Sequence, residues 1–160
     1  MSEKLLALKL MLDALGESPA IDTIDDRKRV QKAVYLGQAA GVNLGYGHSW
    51  YLMGPYSPSL ARDYYQLAED LQANPEAFEG KRLRRATKLS GIINLMNPPE
   101  GPPSDLSKED WLELLASYHY LRKVSGQAHP EALKTLQRQK NHLAPYATEA
   151  KRALTQYGLL

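Results

Sequence analysis

Gly45-Tyr46-Gly47-His48-Ser49-Trp50-Tyr51-Leu52-Met53-Gly54-Pro55-Tyr56-Ser57-Pro58-Ser59-Leu60 packs aromatic residues, a glycine-proline turn and a helix start into sixteen residues. It holds no catalytic constellation, so it specifies a shape or a contact surface. Residues 47–53 are too short and too aromatic for a helix and read as a strand. Gly54-Pro55 turns the chain. Ser57 then caps a helix with Pro58 at its first position, where a missing amide is no loss. Leu60, Tyr64, Leu67, Ala68 and Leu71 continue that helix at a helical period until Asn74-Pro75 closes it.

Upstream, Leu5, Leu8, Leu12 and Leu15 form one face of a first helix over residues 2–15, ended by Gly16 and Pro19. Asp25 or Asp26 is the expected cap of a second helix running to about Gly41. Its apolar stripe is Val30, Ala33, Val34, Gly37 and Ala40, and beside it Lys28, Gln31, Lys32, Tyr35 and Gln38 make a stripe that is polar without being acidic. Downstream, the basic stretch 81–88 reads as an extended edge segment, followed by a short helix over about 89–96. Residues 97–104 hold four prolines and a glycine and read as a stiff loop before a C-terminal helical part, 105–160. Ser107 to Asp110 is a capping box opening a long helix through Trp111, Leu114, Leu115, Tyr118, Leu121 and Val124. Pro130 starts the next helix, and Ala144 or Pro145 the last. The expected fold is one mainly α domain with a small β-ribbon (α+β), a compact multi-helix arrangement compatible with a winged-helix-like topology. In that ribbon residues 47–53 pair with 81–87.

The chain has 160 residues, 43% hydrophobic and 24% charged, which suits one domain with a single core. A formal charge of +2 is far from that of a nucleic-acid coat. No cysteine occurs, which removes disulfides, thiolate metal sites and thiol nucleophiles and suits a reducing cytoplasm. Lys4, Lys9 and Glu3 interrupt the apolar N-terminus, and no stretch reaches the roughly 18 apolar residues of a membrane span. A cytoplasmic protein without membrane attachment is expected. His48, His119, His129 and His142 show no metal-ligand spacing, and the glycines match no phosphate-cradling loop. Tyr56-Ser57-Pro58 lacks the flanking glycines of a nucleophile elbow. Asp63, Glu69 and Asp70 read as a solvated face. The reading is non-enzymatic, with no catalytic residue, no metal and no cofactor.

Ten tyrosines against one phenylalanine favour half-exposed aromatic positions, because the hydroxyl keeps one end polar. Trp50, Tyr56 and Tyr64 read as wedges holding the turn against its flanking helices, whereas Tyr51 and Tyr65 point to a partner surface. The candidate partner-binding set is Lys28, Gln31, Lys32, Tyr35, Tyr51, Tyr56, Arg62 and Tyr65. A second candidate set, Arg27 and Arg29 with Lys81, Arg82, Arg84, Arg85 and Lys88, would contact the phosphates of nucleic acid if the fold brought its two halves together.

Arg27-Lys-Arg-Val-Gln-Lys-Ala-Val-Tyr-Leu36, followed by Ser49-Trp-Tyr-Leu-Met-Gly-Pro-Tyr-Ser-Pro-Ser-Leu60, resembles the YwgA-like family of small bacterial and archaeal proteins. That pattern is a helix with an Arg-Lys-x-x-Gln-Lys-x-x-Tyr core, then a short strand into Tyr-Gly-Pro-Tyr-Ser. A more distant likeness is to the Panacea domain of antitoxins, including the SocA type. Met53 stands where the family has an aromatic residue. The likeness covers roughly residues 25–72. It implies a compact helical domain with a small sheet, linked to toxin neutralisation or mobile-element defence, with no catalytic residues. The expectation is therefore an interaction module that docks a protein partner, a toxin or defence component. The alternatives are a winged-helix-like DNA-binding regulator and, behind it, a nucleic-acid-processing enzyme.

Overall fold

A computed structural model of the chain describes residues 2–100 and 105–160; positions 101–104 of the proline-rich loop lie outside the described residues. Seven α-helices and one two-stranded hairpin follow in order: α1 (Glu3–Ala14), α2 (Ile24–Ala39), β1 (Ser49–Tyr51), β2 (Gly54–Tyr56), α3 (Pro58–Ala73), α4 (Ala86–Ser90), α5 (Lys108–His119), α6 (His129–Gln139) and α7 (Ala147–Gln156). The mainly α architecture with a small ribbon is the one its sequence predicts.

The helix starts follow from side-chain caps. Ser2, Ser57 and Ser107 each accept a backbone N–H three residues on, satisfying a donor that the first turn leaves free. In α2 the cap is Thr23 rather than Asp25 or Asp26. Thr23 Oγ1 accepts the Asp26 amide at 3.0 Å while Asp26 Oδ2 accepts the Thr23 amide at 3.2 Å, so the aspartate serves as the returning half of the box.

The ribbon corrects the expected pairing. β1 runs antiparallel to β2, with Ser49 opposite Tyr56 and Tyr51 opposite Gly54, so Leu52-Met53 is a two-residue hairpin loop. Residues 81–85 contain no strand. The reason is local: Gly54 at φ +89° reverses the chain at once, and closing a two-residue loop costs far less entropy than closing one of some thirty residues. The segment 81–85 instead leads into α4, with Arg85 itself left-handed at φ 62°. A 3₁₀ turn, Ile93–Met96, completes the stretch expected to be helical.

α2 is the centre of the molecule, packed on α1, α3, β2 and most extensively on α5. α5 is buried on every side from Trp111 to His119, and Trp111 Nε1 donates to the Leu95 carbonyl at 2.8 Å. A π-helical turn, Tyr120–Val124, extends it. Leu8, Met11, Leu36, Leu60, Leu67, Leu89, Leu115, Leu136 and Leu154, drawn from all seven helices, belong to one apolar core. Among the described residues no helix is long and apolar enough to cross a membrane.

Candidate functional site

The polar stripe of α2 grips the hairpin. The Gln31 side chain pairs with the backbone of Ser57 in both directions, its Nε2 donating to the carbonyl and its Oε1 accepting the amide, each at 2.9 Å. Lys32 Nζ donates to the Pro55 carbonyl at 2.7 Å, and Lys140, just past α6, donates to the carbonyl of Leu52. Three side chains thus bond backbone groups of the hairpin and of the α3 start: the carbonyls of Leu52, Pro55 and Ser57 and the Ser57 amide. Gly54 sits against α5 where a Cβ would collide with Ser117 Oγ, itself a buried hydroxyl without a partner.

Glu113 of α5 is the electrostatic anchor. Only 3% exposed, it accepts Lys28 Nζ at 2.7 Å on one oxygen and Lys140 Nζ at 3.1 Å on the other. Asp110 adds a 3.0 Å contact to Lys28. Burial works against the Lys28 charge, but the two carboxylates outweigh it and raise its pKa. Among the described residues Lys32 has no carboxylate in contact. Burial pushes its ammonium down to about 7, with Lys140 and Lys28 adding repulsion and Glu113 partly offsetting both. Arg27, half-buried one turn earlier, donates to the Ile21 carbonyl and makes no ion pair among the described residues.

Above this network α2, α3 and the hairpin enclose a pocket of about 200 Å³. Lys28, Gln31 and Lys32 form its polar wall, with Arg27 at the α2 start; Tyr56 and Tyr64 line the other side. Ile24, Met53 and Tyr65 ring it, exposed by 61%, 48% and 49%. Tyr51 stacks edge-on against Tyr56 at 5.2 Å and is 49% exposed, and Leu52 beside it is 95% exposed. Those five are most of the seven large apolar side chains exposed among the described residues; Ile93 and Val124 lie elsewhere. Five of the exposed apolar side chains thus stand at or beside one concavity.

Tyr35 and Arg62 do not line this pocket. Arg62 is exposed on α3. Tyr35 is buried further along the same polar stripe of α2, its hydroxyl hydrogen-bonded to His119 Nδ1 at 2.8 Å and its ring edge-on to His48. Trp50 and Tyr120 stack beside them, the indole N–H donating to Gln139 Oε1. Burial pushes the imidazole of His119 down to about 4, with Lys123 adding to it, and burial does the same to His48, with Lys32 adding. The unfolded chain therefore binds protons between pH 6.5 and 4 that the folded one refuses, so stability falls as pH drops through that window. His119 alone contributes up to about 3 kcal/mol of this loss. Urea titrations from pH 7 to 4 are expected to show it, and a His119→Gln variant to flatten the slope.

The nucleic-acid set is divided. Arg29 is buried and holds Glu17 at 3.2 Å, Asp26 at 3.6 Å and the Ser18 carbonyl, so its guanidinium is spent inside the protein. Lys81, Arg82, Arg84, Arg85 and Lys88 are exposed, near the other end of α2, where the Lys88 ammonium lies against Gly41. At 1.5 Å per helical residue, the two basic groups stand about 20 Å apart. Among the described residues no cluster of histidines and carboxylates is able to hold a metal ion.

No protein-family model, no curated protein and no solved structure matches this chain. Ile24, Met53, Glu113 and Lys140 are site residues outside both candidate sets of the sequence reading. Glu113 had a signal, an acid inside the apolar run Trp111-Leu-Glu-Leu-Leu115; Ile24 had a weaker one, an aliphatic at the first position of a helix among charges.

Proposed function

We propose that the protein is a non-enzymatic docking module for a protein partner, and, on its likeness to YwgA-like and Panacea sequences, an antitoxin-like or accessory component of a prokaryotic defence or toxin system. The gathering of exposed Ile24, Tyr51, Leu52, Met53 and Tyr65 around the α2–α3–hairpin pocket carries the reading. Aromatic anchors beside an arginine are the side chains that carry most of the affinity in protein interfaces. The buried clamp beneath gives the hairpin a fixed shape, so the aromatic surface is preorganised and little order is lost on binding. The double variant Ile24→Ser with Tyr65→Ala removes anchors without touching the clamp. It is expected to weaken partner binding by two orders of magnitude or more, about 3 kcal/mol, with an unchanged melting temperature. Undiminished binding by that variant would reject the surface.

A second reading, a DNA-binding protein, is favoured by one observation: the five cations of 81–88 are exposed and make no ion pair among the described residues. It needs backbone contact rather than base readout, because no strand or helix of eight or more residues carries them. Arg84→Ala with Arg85→Ala is then expected to lower DNA affinity equally for all sequences and to reduce the salt slope by about two.

A further inference from the structure

The charges around the pocket do not balance. Three basic side chains, Arg27, Lys28 and Lys32, line it, and among the described residues no carboxylate does. Two carboxylates answer them, and both are already committed: Glu113 bridges Lys28 and Lys140, and Asp110 lies on Lys28. Of the two acids of α2, Asp26 is held by Thr23 and Arg29, and Asp25 is exposed to solvent. Among the described residues Arg27 makes no ion pair and Lys32 has only the Pro55 carbonyl, while both line the same concavity as Tyr56, Tyr64 and Tyr65. A cation partly removed from water and unpaired is costly, and a bound carboxylate relieves that cost where a neutral group does not.

We propose that the pocket is an acceptor for a large apolar side chain flanked by a carboxylate, and hence that the partner presents an acidic, hydrophobic segment to it. The ring would lie between Ile24, Met53 and Tyr65, and the carboxylate would face Arg27. At about 200 Å³ the pocket holds one aromatic group rather than a folded element. The guanidinium of Arg27 uses one N–H on Ile21 and keeps the rest of its fork for a carboxylate. Depression of the Lys32 ammonium supports the same count, since burial is countered there by too little negative charge.

The inference rests on the docking reading, and its test separates the two. The probes are 4-phenylbutyrate and its uncharged counterpart 4-phenylbutanol, titrated into the isotopically labelled full chain and followed by amide chemical shifts. The acid is expected to shift Ile24, Lys28, Tyr56 and Tyr65, and to bind at least about tenfold more tightly than the alcohol. Arg27→Gln is expected to erase that preference while leaving the remaining amide positions unchanged. Equal binding of acid and alcohol, or no shift at those four residues, overturns the carboxylate assignment. If partner binding is still lost in the Ile24→Ser, Tyr65→Ala variant, docking stands without it; if that binding also persists, both readings fall.

Discussion

Glu113→Ala is expected to lower the free energy of unfolding by about 3–5 kcal/mol, because it leaves buried ammonium groups without their counter-charge. Lys28 would retain Asp110, but Lys140, 2% exposed, would keep only the Leu52 carbonyl and the face of Trp50, with no carboxylate among the described residues. The loss therefore reaches the hairpin through Lys140. Urea denaturation at pH 7 measures the first effect, and faster amide exchange at Leu52 to Gly54 the second. The exposed pair Lys9–Asp13 provides a contrast: Asp13→Ala is expected to cost no more than about 0.5 kcal/mol, since solvent screens it. A Glu113→Ala loss as small as that would mean the lysines are solvated and the network is not an anchor.

Gly54→Val is expected to be of similar size, about 3–5 kcal/mol, from two separable causes. A β-branched residue is strained at φ +89°, and its Cβ meets Ser117 Oγ. Gly45 separates them, having φ +87° and nothing within 4 Å of an added Cβ. Gly45→Ala is expected to cost about 1 kcal/mol from conformation alone, and Gly54→Ala about 2–3. Adding Ser117→Ala to Gly54→Ala should return the loss toward the Gly45 value, because it deletes the colliding oxygen and no existing hydrogen bond. Equal costs at Gly45 and Gly54 would show that the hairpin gives way without engaging α5.

These two residues also mark where sequence reading stopped. Ser57, Pro58 and the Leu60-Tyr64-Leu67 spacing act over the first turns of one helix, so the start and buried face of α3 are readable. The sequence reading pairs 47–53 with a basic stretch some thirty residues away because it takes Gly54-Pro55 as a turn, whereas the left-handed Gly54 closes a hairpin after a loop of two. Gln31, Lys32 and Tyr35 were seen as a stripe distinct from the apolar face, yet they are buried, and two of them are spent on the hairpin backbone. Their polarity reported an internal clamp as much as a surface. Lys28, Gln31, Lys32, Tyr56 and Tyr65 do meet at one pocket. Glu113 and Lys140 anchor Lys28 and the hairpin from the other half of the chain, and no local pattern links residue 113 to residue 28. The two basic clusters were separable only once the length of α2 stood between them.

The docking account turns on whether one native partner is held through the apolar ring. The decisive measurement is capture from nuclease-treated native lysate by the wild-type chain and by the equally stable Ile24→Ser, Tyr65→Ala variant, side by side. The account predicts a stoichiometric protein bound by the wild type and missing from the variant. A partner retained equally by both, or material that disappears with nuclease and depends on Arg84 and Arg85, would contradict it.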